Sequence, residues 1–403
     1  MILSISPSSP SGDIVAPPSK SYAHRALICG ALANGTSKIS NISFSEDIKA
    51  TLNCLSVLGA KIEINGNTAE ITGINDFENF KGAVLNCNES GSTLRFFIPL
   101  CLLSEDEITL NGTEKLISRP LSVYEDIANE QDLLFQKDLN SVKVKGKLKP
   151  QNFSVKGNIS SQFISGLLFA LPLLEENSEI NIIPPFESKP YVDMTVSILK
   201  NFGIEIDYSG LNIKIKGNQH YMPQDTTVEG DWSNAAFLYA FKSCGADVNV
   251  LGVDINSSQG DKICLEYFEA LKNGAPELDL TDCPDLAPIM FAFAGLHNGA
   301  VFTGTDRLRF KESDRISCMQ TELAKFGIRL ITGDNKVIIE SVNFHAPTEN
   351  IFGHNDHRIV MANAFLLCKT GGKLEGYEAV KKSFPDFFDV LLKAGVNINY
   401  EAG

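Results

Sequence analysis

Apolar and polar residues follow the same order at five places along the chain. At each place a stretch with helical periodicity ends in a glycine, and a run alternating between apolar and polar residues follows. Because glycine favours the left-handed conformation that ends many helices, this order predicts a helix, a glycine cap and a strand. The five stretches are residues 50–64, 195–207, 241–250, 318–331 and 390–399, with the glycines Gly59, Gly203, Gly245, Gly327 and Gly395.

Three of these predicted strands continue through a tight turn into a second alternating run, at residues 62–71, 204–215 and 328–339. In the first of them, Asn65-Gly66 is typical of a two-residue hairpin turn. The repeated unit is therefore a helix followed by a hairpin. An ordinary α+β protein with common helix caps remains an alternative at this point.

Two breaks divide the chain. Pro17-Pro18 follows an N-terminal strand, Ile2–Ile5 with residues 14–15, and precedes the polar start of a helix. Gly230-Asp231 follows a loop rich in Gln, Asp and Thr. We therefore predict one lobe at residues 19–229 and another at residues 230–403. The residues alone leave open which lobe holds the N-terminal strand.

Composition limits the classes of function. The 403 residues include 35 Lys and Arg against 49 Asp and Glu, a net charge of −14, which argues against a protein whose main partner is nucleic acid or an anionic membrane. A local basic pocket stays possible. No apolar run reaches the roughly 18–20 residues of a membrane helix, and no targeting segment is visible at the start. The nine cysteines are scattered without a C-x-x-C pair, as expected of reduced thiols in the cytoplasm.

Several predicted helices in the first lobe begin with polar groups. Backbone N–H groups and the helix dipole favour anions at such positions, and hydroxyl or amide side chains add further donors. Ordinary capping or an exposed basic turn would produce the same pattern. The residues concerned are Lys20, Ser21 and Arg25; Gly91 and Arg119; Ser160, Ser161 and Gln162; and Ser188 with Tyr191.

The second lobe offers acids beside cations. Asp285 leads into a strongly apolar helix, so burial would raise its pKa toward that of a general base, unless the helix dipole stabilises the charge. Further on, Lys311 and Arg315 are four residues apart, a spacing that predicts one helical face, and Glu312 adjoins Lys311. A solvated charged face is the plainer interpretation of this run.

The last candidates lie near the C-terminus. Residues 353–358 contain His354, Asp356 and His357, which suggests metal ligands, but two histidines without a further cluster do not complete a site. Arg358 follows them. Lys382 stands before an aromatic run, where a surface lysine is the simplest interpretation.

Taken together, these segments resemble the 5-enolpyruvylshikimate-3-phosphate synthase family over residues 17–388. The motifs that carry the resemblance are PPSKSYAHR, SGSTLR, SRP, SSQF, SKPYVD, PD, LRFKESDR, DHR and KSFPD, in this order. The resemblance implies an α/β (α+β) enolpyruvyl transferase fold of two lobes, similar to an inverse α/β barrel, each lobe built from three helix-plus-sheet units. It also implies that the N-terminal strand pairs with the C-terminal lobe, so residues 1–18 join residues 230–403, with the active site in the cleft between the lobes.

The resemblance further implies a reaction. The family transfers the enolpyruvyl group of phosphoenolpyruvate to the 5-hydroxyl of shikimate 3-phosphate, and releases phosphate through a tetrahedral intermediate. By motif, Asp285 matches the catalytic base and Glu312 the catalytic acid. The residues implied around shikimate 3-phosphate are Lys20, Ser21, Arg25, Ser160, Ser161, Gln162, Ser188, Tyr191, Asp285 and Lys311. Those implied around phosphoenolpyruvate are Lys20, Gly91, Arg119, Gln162, Arg315, His357, Arg358 and Lys382.

From this resemblance we expect a cytoplasmic monomer that acts on small molecules, without a metal or an organic cofactor, a nucleic-acid partner or a membrane. The chain departs from the family's usual pattern at Glu89 and Arg307. One alternative is the sister enzyme that acts on UDP-N-acetylglucosamine. That family is expected to carry a Lys-Asn pair and a reactive loop cysteine, whereas Ser21 follows Lys20 here and Cys101 lies in an apolar run. A non-catalytic protein that binds phosphorylated metabolites is the other alternative; it would need neither Asp285 nor Glu312.

Overall fold

A computed structural model describes residues 2–74, 76–77 and 79–401, and the chain divides into two compact units. We call Pro18–Glu229 the central unit, and Met1–Pro17 together with Gly230–Gly403 the terminal unit. Pro18 thus falls in the central unit, one residue before the boundary predicted from the sequence. The predicted N-terminal strand is in fact two strands of different sheets, β1 (Ile2–Ile5) and β2 (Gly12–Val15).

The described part of the central unit contains seven α-helices and three four-stranded sheets. The helices are α1 (Lys20–Leu32), α2 (Glu46–Val57), α3 (Gly91–Cys101), α4 (Glu114–Ile117), α5 (Ser122–Glu130), α6 (Ser161–Ala170) and α7 (Lys189–Asn201), with a 3-10 turn at Leu171–Leu173. The strands are β3 (Thr36–Ser40), β4 (Lys61–Asn65), β5 (Thr68–Thr72), β6 (Val84–Asn86), β7 (Ile108–Asn111), β8 (Leu134–Lys137), β9 (Ser141–Lys145), β10 (Asn152–Lys156), β11 (Ser178–Ile183), β12 (Ile206–Ser209), β13 (Asn212–Ile215) and β14 (Thr226–Thr227).

The three sheets of the central unit repeat one topology. Their strand orders are β14-β3-β5-β4, β6-β7-β9-β8 and β10-β11-β13-β12. In each sheet one pair is parallel and the remaining strands are antiparallel, ending in a hairpin. The unit is thus built from three copies of a helix-plus-sheet unit, as the resemblance implied.

The terminal unit also combines helices with three sheets, but in the described residues one of these sheets has two strands instead of four. Its α-helices are α8 (Trp232–Ser243), α9 (Cys264–Asn273), α10 (Ala287–Leu296), α11 (Arg315–Lys325), α12 (His357–Thr370) and α13 (Phe387–Lys393). Its 3-10 turns are Gly260–Ile263, Pro284–Leu286, Asp306–Phe310 and Tyr377–Lys382. Its strands after β1 and β2 are β15 (Val248–Leu251), β16 (Glu277–Asp279), β17 (Ala300–Thr303), β18 (Ile328–Gly333), β19 (Lys336–Ser341), β20 (Ile351–Phe352), β21 (Gly372–Glu375) and β22 (Ile398–Glu401).

Both N-terminal strands pair within the terminal unit. β1 lies between β21 and β22 and is antiparallel to both, in a sheet of order β20-β21-β1-β22. β2 forms a two-stranded parallel sheet with β15, and the third sheet has the order β16-β17-β19-β18. Both N-terminal strands thus pair with strands from the C-terminal part of the chain.

All five glycines predicted to end helices have positive φ, between 76° at Gly327 and 105° at Gly59, and a strand follows each of them. The sequence pattern missed one further copy, α5 followed by β8 and β9, because Asp132 with φ 55° takes the place of the glycine there. In the first hairpin the loop residues are Gly66 and Asn67, since Asn65 still pairs with Thr68.

Three helices in each unit are buried almost along their whole length. In the central unit these are α1, α3 and α6, and in the terminal unit α8, α10 and α12. A helix with apolar residues on most sides is expected to lie inside the protein, so these six helices form the interior of the two units. None of the described helices combines the length and apolar composition needed to cross a bilayer.

Candidate active site

The start of α1 supplies the first cation of the central unit. Ser19 caps this helix by accepting a hydrogen bond from the Tyr22 amide at 3.3 Å. Lys20 is largely buried, and its Nζ donates to Oδ2 of Asp47 in the first turn of α2, at 2.7 Å. Asp47 was not among the predicted site residues. An acid in the first turn of a helix is usually explained by the helix dipole, so no separate pattern in the sequence indicates this pairing.

Arg25 lies inside the central unit, with 2% of its surface exposed. Its Nε donates to Oγ1 of Thr195 at 2.7 Å, and its Nη groups donate to the main-chain oxygens of Ser21 at 2.8 Å and Tyr191 at 3.1 Å. Burial lowers the pKa of Arg25 to about 10. The guanidinium thus connects α1 to α7 and brings the predicted residues Ser21 and Tyr191 together. The alternative of an exposed basic turn is wrong for Arg25.

Gly91, Arg119 and Gln162 also come together. A Cβ atom added to Gly91 would lie 2.9 Å from Nη1 of Arg119 and 3.7 Å from Oε1 of Gln162. Nη1 of Arg95 donates to the same Oε1 at 2.7 Å, and Nε2 of Gln162 donates to Oγ of Ser92 at 2.9 Å. The missing side chain at Gly91 therefore leaves room for the Arg119 guanidinium at the start of α3. Arg95 was not in the predicted set, although it lies in the same motif.

The predicted serines stand at helix starts. Ser160 is the N-cap of α6, and its Oγ accepts from the Gln162 amide at 3.3 Å, so the capping interpretation is observed. Ser161 and Ser188 are both buried, and Ser188 has φ 56° directly before α7. Their positions leave hydroxyl groups and helix N-termini beside the Arg25 network, an arrangement that suits a phosphate or a polyhydroxyl ring.

Arg315 is the centre of the charged groups in the terminal unit. This residue is 1% exposed and starts α11. Its Nη1 donates to Oδ1 of Asp285 at 2.8 Å, its Nη2 to Oε2 of Glu312 at 2.8 Å, and its Nε to Oδ2 of Asp356 at 2.9 Å. Burial opposes the charge, but Asp356, Glu312 and Asp285 outweigh it and raise the pKa of Arg315. One guanidinium thus holds three carboxylates.

Asp285 lies in the 3-10 turn Pro284–Leu286, immediately before α10. Besides Arg315, it receives Nη2 of Arg358 at 3.1 Å and Nζ of Lys311 at 3.4 Å. Burial raises the pKa of Asp285, but Arg358, Lys311 and Arg315 together hold it well below its usual range. The raised pKa expected from the apolar helix is therefore wrong for this arrangement, because the sequence did not show how many cations surround the carboxylate.

Lys311 and Arg315 do not share a helical face, contrary to the prediction from their spacing. Asp314 is the N-cap of α11, so Lys311 precedes the helix and has extended backbone geometry. Both side chains nevertheless reach Oδ1 of Asp285. Burial lowers the pKa of Lys311, with Asp285 partly opposing this effect. The solvated-face interpretation is wrong for this pair.

Asp356, His357 and Arg358 begin α12. Asp356 is fully buried; it caps the helix by accepting from the Arg358 amide at 3.0 Å, and it also accepts from Oγ of Ser313 at 3.1 Å. Nη2 of Arg358 donates to Oγ of Ser233 in the first turn of α8, at 3.0 Å. His357 is buried beside them. Ser233 was missed, and Asp356 was considered only as a metal ligand.

The metal interpretation gains no support from the geometry. Nε2 of His354 lies 2.7 Å from Oε1 of Glu322, whereas Asp356 is bound by Arg315. Across the part of the chain that the structure describes, no three His, Cys, Asp or Glu side chains are grouped as metal ligands. Lys382 donates from Nζ to the main-chain oxygen of Asn355 at 2.6 Å, which places it near the start of α12.

The terminal unit therefore combines two carboxylates with three nearby cations. Asp285 and Glu312 share Arg315, and Lys311 and Arg358 lie against Asp285. Carboxylates can accept and donate protons, and guanidinium and ammonium groups bind phosphate and carboxylate. Such a group of residues is suited to proton transfer on an anionic substrate.

Known proteins with similar sequences point in the same direction. The model of the family EPSP synthase (3-phosphoshikimate 1-carboxyvinyltransferase) matches residues 6–391. The 3-phosphoshikimate 1-carboxyvinyltransferase of a Clostridium perfringens strain is 40% identical over 414 residues, covering 97% of each chain. That of Clostridioides difficile is 40% identical over 428 residues, covering 98% of each chain.

Solved structures agree on the fold. An EPSP synthase from Acinetobacter baumannii has a TM-score of 0.80 at 24% identity, covering 99% of each chain. The enolpyruvyl transferase NikO from Streptomyces tendae has a TM-score of 0.78 at 14% identity, covering 99% of this chain and 98% of that one. At these identities the likeness concerns the fold alone. The match to the family model and the curated relatives, over nearly the whole sequence, show that this chain belongs to the EPSP synthase family.

Proposed function

We propose that the carboxylate pair Asp285 and Glu312 carries out the reaction of this family in the present chain: transfer of the enolpyruvyl group from phosphoenolpyruvate to the 5-hydroxyl of shikimate 3-phosphate. The observation that carries the proposal is that both carboxylates bind the single guanidinium of Arg315. Adding a hydroxyl across a C=C bond requires one group that takes a proton from oxygen and another that gives a proton to carbon.

We assign shikimate 3-phosphate mainly to the central unit. The buried Arg25 network, Lys20 and the hydroxyl-rich starts of α6 and α7 support this assignment, because they combine cations with donors for a phosphate and a polyhydroxyl ring. The proposed set is Lys20, Ser21, Arg25, Ser160, Ser161, Gln162, Ser188 and Tyr191, joined by Asp285 and Lys311 at the reacting hydroxyl.

We assign phosphoenolpyruvate to cations of both units. The space at Gly91 beside Arg119 and the cations around Asp285 support this assignment. The proposed set is Lys20, Gly91, Arg119 and Gln162 from the central unit, and Arg315, His357, Arg358 and Lys382 from the terminal unit. Residues from both units are therefore assigned to the same substrate.

In the addition step, the 5-hydroxyl oxygen forms a bond to C2 of phosphoenolpyruvate while Asp285 takes the hydroxyl proton. Glu312, in its acid form, gives a proton to C3, so the methylene becomes a methyl group. In the elimination step, the bond between C2 and the phosphate oxygen breaks, a methyl proton returns to Glu312, and the C=C bond is restored. The proton held by Asp285 leaves with the phosphate.

Substrate binding itself prepares Asp285 for this role. Arg358, Lys311 and Arg315 hold the pKa of Asp285 low. When the phosphate and carboxylate of phosphoenolpyruvate compete for Arg315 and Arg358, these cations are neutralised and the pKa of Asp285 rises. The carboxylate thereby becomes a better base when the substrate is in place.

We further propose that the chain acts as a monomer in the cytoplasm and without a cofactor. A single chain carries both sets of residues, so the proposed site needs no second copy. The nine cysteines are all free thiols, which supports a reducing compartment. The reaction requires proton transfer and anion stabilisation, both of which side chains supply. Size-exclusion chromatography with light scattering tests the oligomeric state; a stable dimer would contradict a monomer.

The experiment that tests the function is a phosphate-release assay. The protein is mixed with phosphoenolpyruvate and shikimate 3-phosphate, and we expect release that requires both compounds. Release with UDP-N-acetylglucosamine in place of shikimate 3-phosphate would assign the chain to the sister enzyme. Binding of both compounds by calorimetry without any release would indicate a non-catalytic binding protein.

A further inference from the structure

A second group of charged residues in the terminal unit takes no part in the proposed chemistry. Glu322 on α11 is 1% exposed, an unusual position for an acid. Its Oε1 lies 2.7 Å from Nε2 of His354, and its Oε2 accepts from Nζ of Lys325 at 2.8 Å and from the Phe352 amide at 2.9 Å. We call Glu322, Lys325, Phe352 and His354 the Glu322 cluster. Both carboxylate oxygens have partners, so the buried charge is compensated.

The Glu322 cluster connects two segments that carry proposed ligands. One is α11, which begins at Arg315; Glu322 lies seven positions later, so both project from the same side of the helix. The other is the segment from β20 into α12. Lys325 also donates to the main-chain oxygen of Asn350, just before β20, at 2.9 Å. The cluster thus fixes the approach to α12 against α11.

The segment that is fixed in this way has unusual backbone geometry. His354 and Asn355 have φ values of 49° and 53°, in the left-handed region that residues with a side chain uncommonly adopt. Such a turn persists only when its surroundings hold it. His354 is held by its side chain to Glu322, and Asp356, the next residue after the turn, is held by Arg315.

Two proposed phosphoenolpyruvate ligands depend on this turn. The main-chain oxygen of Asn355 accepts from Nζ of Lys382 at 2.6 Å, and Arg358 follows two residues after Asp356. The third ligand, Arg315, is on α11 itself. The spacing among Arg315, Arg358 and Lys382 therefore depends on how the turn at residues 354–355 is held against α11.

We propose that Glu322 and His354 are positioning residues for phosphoenolpyruvate, which set the spacing of Arg315, Arg358 and Lys382 by anchoring the turn before α12. The inference rests on the proposed function, since phosphoenolpyruvate is the ligand it invokes. Neither residue is assigned a contact with substrate; each acts through the backbone of the turn and through α11.

The charge of His354 gives this anchor a pH dependence. The Cys318 thiol and the Glu322 carboxylate raise the pKa of His354 to about 9, with partial burial opposing them. Lys325 is the other charged group of α11 at the cluster, and Glu375 on β21 is reached through Asn350. Because the folded-state pKa exceeds the unfolded value near 6.5, the stabilisation is complete below pH 6.5 and is lost as the pH rises through about 9.

The test uses the full chain with two variants at His354, whose side chain is 23% exposed and therefore tolerant of change. His354→Phe keeps a ring against Phe352, 5.0 Å away, but loses the bond to Glu322. We expect the KM for phosphoenolpyruvate to rise about tenfold, the size of one lost charge-assisted hydrogen bond, with the KM for shikimate 3-phosphate within about twofold. His354→Gln keeps a hydrogen-bond donor at a similar distance, so the KM for phosphoenolpyruvate should rise less in this variant.

The pH profile separates positioning from general damage. In the wild type, the KM for phosphoenolpyruvate should rise between pH 8 and pH 10, and this rise should be smaller in His354→Gln, which cannot titrate. Burial lowers the pKa of Lys311, so this lysine also loses its proton at high pH. Its deprotonation accounts for the rise in KM that remains in His354→Gln. His345→Phe, at an exposed histidine of the same unit, is the matched control and should change neither KM.

Two outcomes would overturn the inference alone. One is normal phosphate release with an unchanged KM for phosphoenolpyruvate in His354→Phe. The other is an equal rise of both KM values with a lower melting temperature, which would indicate a purely structural role. Absence of phosphate release by the wild type would instead overturn the proposed function, and this inference with it. Glu322→Gln should repeat the His354→Phe result; if that buried variant does not fold, His354→Phe still decides.

Discussion

The two units have a similar architecture, but the groups that accept hydrogen bonds from their buried arginines differ in charge. In the central unit, Arg25 donates to a hydroxyl group and to main-chain oxygens, all of them neutral. In the terminal unit, Arg315 donates to the three carboxylates of Asp285, Glu312 and Asp356. Both arginines are almost completely buried.

This difference suggests that the two units have different roles in the reaction. Neutral acceptors orient Arg25 but leave its positive charge uncompensated, so it attracts a phosphate without having to release a carboxylate first. Arg315 is already neutralised, so an incoming anion competes with Asp285 and Glu312 and frees them for proton transfer. Lys20 is the exception in the central unit, because Asp47 binds it. We infer that the central unit is organised for binding and the terminal unit for chemistry.

Removal of the proposed base tests this inference most directly. Asp285→Asn keeps the size of the side chain but cannot accept the hydroxyl proton, so we expect phosphate release to fall about 10³- to 10⁴-fold. Calorimetry should still detect shikimate 3-phosphate, because the central unit is unchanged. Asp282→Asn, at an exposed acid in the same loop, is the matched control and should stay near wild-type turnover. Turnover within tenfold of the wild type in Asp285→Asn would remove Asp285 from the mechanism.

Glu312→Gln tests the second carboxylate. Its amide can still accept a hydrogen bond from Nη2 of Arg315, 2.8 Å from the native oxygen, but it cannot protonate carbon. We expect turnover to fall about 10²- to 10³-fold, with a smaller change in the KM for either substrate. Deuterium from solvent enters the methyl group when C3 is protonated, so its incorporation into recovered phosphoenolpyruvate should fall in parallel. Undiminished deuterium incorporation would assign the acid role to another residue.

Much of the architecture could be predicted from local patterns. A glycine with positive φ between helix and strand is a strong signal, so Gly59 and Gly203 mark their repeats correctly. The copy that begins at α5 was missed because Asp132 adopts the same left-handed conformation without being glycine. The pairing of β1 with β21 and β22 joins residues about 370 to 400 positions apart, and no local pattern in the sequence indicates it. Only the resemblance to a family supplied it.

The chemical site was less predictable from local patterns. The identities of Asp285, Glu312 and Arg315 came from motif order, whereas their electrostatic state depends on neighbours that are distant in sequence. The nearness of Arg358 and Lys311 reverses the expected direction of the Asp285 pKa. The role of Asp356 could not be predicted from its neighbours in the sequence, because its partner Arg315 lies 41 positions earlier.

The buried carboxylate of Asp356 should make the stability of the terminal unit depend on pH. Burial raises the pKa of Asp356, but Arg315 outweighs it, so the pKa lies below its usual range. Its contribution is therefore present above about pH 4 and is lost as the pH falls further. We expect Asp356→Asn to lower the free energy of unfolding by about 3 kcal/mol at pH 7. This difference from the wild type should become smaller below pH 4. Urea unfolding followed by the fluorescence of Trp232, the only tryptophan and part of the terminal unit, measures this difference.

Arg25→Gln is the counterpart in the central unit. Because the acceptors of Arg25 do not titrate, the loss of stability in this variant should stay constant between pH 7 and pH 3. Circular dichroism during urea unfolding follows this change, since it reports both units. Two results would contradict the contrast between neutral and ionised partners. One is a loss of unfolding free energy in Arg25→Gln that becomes smaller in acid. The other is a loss in Asp356→Asn that does not change with pH.

The smallest expected effect concerns Gly91. An added Cβ would lie 2.9 Å from Nη1 of Arg119, the flexible end of a long side chain, and 3.5 Å or more from the other nearest atoms. Gly91→Ala should therefore leave the melting temperature nearly unchanged, because Arg119 can move aside and alanine favours the helix that begins here. Moving Arg119 should weaken phosphoenolpyruvate binding several-fold, while the KM for shikimate 3-phosphate stays the same, since the Arg25 network is not disturbed. Steady-state kinetics with each substrate varied in turn measures both constants. An equal rise in the two values would mean that Gly91 serves both substrates, and an unchanged KM for phosphoenolpyruvate would place that substrate away from Arg119.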